Sequence, residues 1–157
     1  MKKCTLLLLT LILTLSTLCG CGIKAEDMPI TRKKPNNFYY TNLLANSLIS
    51  NSNIKVTMYE LNLHKEKETN ADDLDSIVTF FKALSPKNFI NKPSDLPQKP
   101  KYKIFIAIDN QKHTINVYNE KYITIHPWDG IYSEDYIDIS NINARYNIYE
   151  LCKYFYR

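Results

Sequence analysis

Between Tyr102 and Ile125 apolar side chains recur at every second position, and this alternation narrows the possible folds more than any other feature. Tyr102, Ile104, Ile106 and Ile108 share one parity, Ile115 and Val117 follow, and Ile123 and Ile125 close the series. Successive strand side chains point to opposite faces, so the pattern describes strands with one buried and one wet face. Short polar stretches separate the segments, which makes hairpins and an antiparallel sheet the natural connection. Pairing Ile106 with Ile115 and Ile104 with Val117 predicts a four-residue loop, Asp109-Asn110-Gln111-Lys112. Pairing Val117 with Ile123 and Ile115 with Ile125 predicts the loop Asn119-Glu120-Lys121. A one-residue slip would turn the isoleucines to solvent.

The helical period appears elsewhere. Residues 38–50 carry Tyr40, Leu43, Leu44 and Leu48 on one stripe. In 70–84, Leu74, Ile77, Val78, Phe81 and Leu84 repeat at three- and four-residue spacing. Asn70 can cap that helix, and Asp72, Asp73 and Asp75 favour its positive end. Ile148, Leu151, Cys152 and Phe155 form the stripe of a last helix, 144–155. Ile54-Lys55-Val56-Thr57-Met58 starts a strand, 64–69 reads as a charged connection, 90–100 as a proline-rich loop, and 136–139 as a further strand. The expected fold is α+β, an antiparallel sheet of about four to five strands covered by helices, in the order α-β-α-β-β-β-β-α.

The N-terminal residues follow a different plan. Lys2 and Lys3 precede a charge-free run from Thr5 to Leu18. That run is shorter than the roughly 18–20 residues a bilayer span needs, so it reads as a signal peptide. Leu18-Cys19-Gly20-Cys21 resembles the lipobox of bacterial lipoproteins. The resemblance implies cleavage between Gly20 and Cys21 and a diacylglyceryl group on the Cys21 thiol, which fixes the membrane as a partner. The alternative is a secreted protein with Cys21 in a disulfide. Residues 21–37, with Pro29, Pro35 and charges of both signs, read as a lipidated cysteine and tether, and 38–157 as one globular domain. The basic cluster Arg32-Lys33-Lys34 reads as a solvated part of the tether.

Composition removes several classes of function. Without the signal, 18 basic and 16 acidic side chains remain, a charge of about +2 that gives no nucleic-acid-binding stripe. Cys152 is the domain's only cysteine and Gly130 its only glycine. Disulfide frameworks, cysteine metal sites, phosphate-binding glycine loops and nucleophile elbows need more of each. No cofactor is expected. Abundant Asn, Lys, Ile and Tyr lean towards an AT-rich, Gram-positive host.

From Ile54 onward the layout resembles small clostridial lipoproteins whose domain has no known function. Tyr102-Lys-Ile-Phe-Ile, Ile115-Asn-Val-Tyr-Asn-Glu-Lys-Tyr-Ile, Pro127-Trp-Asp-Gly and Tyr136-Ile-Asp carry the resemblance. It implies an anchored α+β domain and brings no assigned activity with it.

The candidate chemistry is sparse. His113 is expected on the apolar face, His126 on the other and His64 in a charged loop, so they read as ordinary histidines rather than zinc ligands, which must converge. Cys152 could be a nucleophile, but its place on a helical apolar stripe reads as a core thiol. Asp72, Asp73 and Asp75 suit a helix start better than a metal. Asp135 and Asp138 could form a hydrolytic carboxylate pair, with nothing to set their separation. Trp128, Asp129, Tyr132 and Asp135, between two strands, are the candidate ligand or partner contacts. Aromatic faces beside carboxylates can stack on sugars or anchor a protein. The simpler reading folds Trp128 back over the core.

The combined expectation is a lipid-anchored domain on the extracytoplasmic face of the membrane, non-enzymatic, binding an envelope ligand or protein. The alternatives are a carboxylate-based hydrolase of envelope glycans and an inhibitory or structural partner of another membrane protein.

Overall fold

The computed structural model describes residues 33–51 and 53–157. The lipobox and the cleavage site at Gly20 and Cys21 lie outside the described residues. Among the described residues three α-helices and seven strands follow one another: α1 (Tyr39–Ser50), β1 (Ile54–Glu60), β2 (Lys65–Glu68), α2 (Ala71–Ala83), β3 (Phe89–Ile90), β4 (Tyr102–Ile108), β5 (Gln111–Val117), β6 (Tyr122–Pro127), β7 (Asp135–Asp138) and α3 (Ile148–Phe155). The strands form a single sheet in the order β2-β1-β4-β5-β6-β7-β3, with every neighbouring pair antiparallel. The α+β class is as expected, and the sheet is larger than the four to five strands read from the alternation.

The two additional strands have physical explanations. β2 is Lys65-Glu66-Lys67-Glu68, exposed along its whole length, so it carries no apolar parity to read. Charged side chains on an edge strand also discourage pairing with other molecules. β3 has only two residues, held to β7 through Phe89 opposite Ile137.

One face of the sheet holds the core. Val56, Met58, Ile104, Ile106, Ile115, Ile123, Ile125 and Ile137 meet Tyr40, Leu44 and Leu48 of α1, Ile77 and Phe80 of α2, and Ile148 and Cys152 of α3. In α1 the buried stripe is Tyr40, Thr41, Leu44 and Leu48, and Leu43 faces out. In α2 Phe80 is deeply buried although it lies off the predicted stripe, and Leu74, Val78, Phe81 and Leu84 are half-buried beside it. A reciprocal capping box between Asn70 and Asp73 starts α2.

The β5–β6 register is the expected one, Ile115 opposite Ile125 and Val117 opposite Ile123. The β4–β5 register differs by two residues: Ile104 faces Ile115 and Ile106 faces His113. The hairpin turn is therefore Asp109-Asn110 alone, with Asp109 at φ 50°. An aspartate tolerates this left-handed conformation better than most residues. The tighter turn adds Gln111 and Lys112 to the ladder, and a two-residue shift leaves the faces unchanged.

Candidate functional site

The segment between β6 and β7 is braced from three sides. The Trp128 N–H donates to the Lys112 carbonyl at 2.8 Å and the Gly130 N–H to Pro127 at 3.3 Å. The Tyr132 N–H donates to the Tyr40 hydroxyl at 2.7 Å. Tyr39, Tyr40 and Tyr132 form an aromatic triangle with centroids 5.4, 5.4 and 6.2 Å apart. Gly130 has no positive φ. Its value is clearance: a Cβ there would lie 2.9 Å from the Tyr40 hydroxyl and 3.2 Å from Pro127.

The four expected contact residues separate. Trp128 is 76% exposed and Asp129 is exposed. Tyr132 is half-buried in the aromatic triangle. Asp135 is fully buried on the core face, opposite Ile125. Its Oδ2 accepts from the Thr41 N–H and from Thr41 Oγ1, both at 2.7 Å. Its Oδ1 faces Lys34 Nζ at 2.5 Å. Phe38, at the N-cap of α1, supplies no side-chain acceptor. Asp135 thus caps α1 from a distant strand, satisfying one of the orphan N–H groups and opposing the positive helix end. Its position as a surface contact is corrected accordingly. Lys34, read as tether, donates further to the Ser133 and Glu134 carbonyls at 2.9 Å and lies 5.3 Å from the Tyr40 ring centre.

Trp128 also stands at one end of the second sheet face. Lys55, Thr57, Phe105, Lys112, Thr114 and Trp128 line an open trough of about 360 Å³. Apart from Trp128, the sequence reading assigns none of these residues to a site. The available signal was Phe105, an aromatic on the outward parity between Lys103 and Ala107. Further along this face Asn116 Nδ2 donates to Thr124 Oγ1 at 3.1 Å and approaches His126 Nε2 at 3.3 Å. His126 Nδ1 lies 3.1 Å from the Pro127 carbonyl, which can only accept. The neutral ring then carries its proton on Nδ1 and accepts at Nε2. Tyr118 and Tyr136 are pushed upward by burial first and by Glu134 second.

The other candidates are dispersed. His113 is buried on the core face with neither ring nitrogen bonded. Burial lowers its pKa, with Asp129 opposing and His126 reinforcing the shift. His64 occupies the β1–β2 turn at φ 51° and contacts the Tyr59 hydroxyl at 2.9 Å. Burial pushes the Cys152 thiol up to about 12, which suits a core thiol rather than a nucleophile. Asp138 accepts from the Ser140 N–H and hydroxyl at 2.9 and 2.6 Å. Among the described residues no three His, Cys, Asp or Glu side chains converge on a metal position.

These features define a one-sheet α+β domain with helices on one face and an open, aromatic-edged trough on the other. Residues 34–152 match the family described as domain of unknown function DUF4883, and the chain belongs to that family. It is similar to a candidate lipoprotein from Clostridium perfringens of known crystal structure, with 34% identity and a TM-score of 0.70 over 79% of this chain and 99% of that one. The likeness to clostridial lipoproteins of unknown function therefore holds. No curated protein matches.

Proposed function

We infer that this chain is a lipid-anchored domain on the extracytoplasmic face of the membrane that works by contact rather than by catalysis. The observation that carries the reading is Leu18-Cys19-Gly20-Cys21 directly after a charge-free run. The description of the clostridial relative as a candidate lipoprotein supports it. In this reading residues 1–20 are the signal, Cys21 carries diacylglycerol, and the following residues tether the domain.

The geometry favours contact over the glycan-hydrolase alternative. A hydrolytic pair needs one carboxylic acid and one carboxylate facing a shared bond. Asp135 is occupied by Thr41 and Lys34, and Asp138 by Ser140. The exposed Trp128 above the trough is the better-suited group, because a large aromatic outside the core is available to a partner.

Cys21→Ser should abolish incorporation of radiolabelled palmitate and leave the precursor uncut. Continued labelling of the variant would overturn the anchoring. Trp128→Ala should leave the denaturation midpoint nearly unchanged, since a core tryptophan would cost about 3–5 kcal/mol on truncation and an exposed one far less.

A further inference from the structure

We propose that Trp128 and Ile131 together form a tip that seats in the headgroup region of the membrane carrying the anchor. This deepens the reading above and rests on it, naming the lipid surface as the tip's partner. Trp128 is 76% and Ile131 68% exposed, three positions apart on one short connection. Most of each side chain stands in solvent rather than against the core.

The connection is held rigidly. Trp128 and Tyr132 are tied by backbone N–H groups to Lys112 and Tyr40, and Gly130 lies too close to Tyr40 for any side chain. Presenting two apolar side chains to water on a braced turn gives no folding advantage. It does preorganise them for an apolar surface, because little freedom is then lost on docking. Tryptophan suits the boundary between headgroups and acyl chains, with its flat apolar body and one N–H donor.

The path of the chain selects lipid as the occupant. Lys34 is bonded to the Ser133 and Glu134 carbonyls and to Asp135, so the segment leading back to Cys21 meets the domain beside this tip. The thirteen residues from Cys21 to Lys34 span at most about 45 Å. A lipid on Cys21 therefore holds Lys34, and the Ser133–Asp135 segment it contacts, close enough to the membrane for the neighbouring tip to reach the headgroups. Asp129 lies between the two apolar residues and Glu134 follows them, and Lys112 and Lys55 lie along the trough. Mixed charge of this kind sets a shallow seat at headgroup level rather than deep insertion. Diacylation already supplies durable attachment, so the tip fixes orientation rather than affinity.

Trp128 is the chain's single tryptophan and reports directly. The full lipidated protein is reconstituted in phosphatidylcholine–phosphatidylglycerol vesicles, with and without lipids brominated near the headgroup. Expected are flotation with the vesicles, blue-shifted emission, quenching by the bromolipid and loss of most iodide quenching relative to N-acetyltryptophanamide. Ile131→Asp should still float but regain iodide quenching, with an unchanged circular dichroism spectrum. Flotation with Trp128 fully open to iodide would overturn the docking and leave the anchor standing. Protection from iodide without bromolipid quenching would place another protein copy on the tip and also overturn it. Failure to float would remove the anchor and the docking together.

Discussion

Asp135 and His113 are both buried polar side chains on the core face, and they are solved differently. Asp135 is satisfied by Thr41 and Lys34, whereas both ring nitrogens of His113 lack a partner. Burial lowers the His113 pKa, the nearby His126 adds to this, and Asp129 opposes it. The folded state then resists a proton that the unfolded chain accepts near its ordinary value of 6.5. The neutral ring's contribution to stability is complete above that value and is lost as pH falls from it towards the depressed folded value. The slope for one group is at most about 1.4 kcal/mol per pH unit. Urea unfolding of His113→Leu between pH 7 and pH 5 should show a shallower loss of stability than wild type, and parallel curves would show that His113 does not drive it. The face of His113 was legible from parity alone. The use of Asp135 was not, because its hydrogen-bond partner Thr41 lies 94 residues away and no local pattern announces a cap supplied by another element.

At the scale of elements, legibility followed the strength of the apolar period. β4, with four inward residues, has the expected bounds, and β2, with none, read as a connection. The β4–β5 register shows where parity stops being informative. Shifts of two residues keep every isoleucine inside, so the turn decides, and Asp109 at φ 50° favours the short one. Two consequences separate face from register. Ile106→Asp places a charge on the core face and should unfold the domain or cost several kcal/mol, whereas Lys103→Asp on the opposite face should be mild. Asp109→Gly should raise the thermal midpoint slightly, by up to about 1 kcal/mol of stability, and Asp109→Val should lower it, because a β-branched residue is strained at positive φ. Were the loop four residues long, the valine variant would be tolerated. Differential scanning calorimetry of the four variants measures both effects.

For the whole molecule the question is where the folded domain begins. A start at residue 38 follows from the first residue of the apolar stripe, since Lys33-Lys34-Pro35-Asn36-Asn37 has no period to read. The three-dimensional arrangement gives that polar stretch a place in the fold. Lys34 holds Asp135 and two carbonyls, and Asn37 Nδ2 donates to the Phe89 carbonyl at 3.1 Å. The family match also begins at residue 34. A chain starting at Phe38 should therefore be less stable than one starting at Arg32. Breaking a buried pair by removing one partner typically costs about 3–5 kcal/mol, because the remaining charge stays desolvated. Thr41 still bonds Asp135, so the lower end of that range is expected. The second arm identifies the cause. In the short chain Asp135→Asn removes the stranded charge while keeping an acceptor for the Thr41 N–H, and should recover part of the loss. In the long chain the same substitution should destabilise, leaving Lys34 without its carboxylate. Guanidinium midpoints of the four proteins give the comparison, and equal stability of the two unsubstituted chains would return Lys34 to the tether.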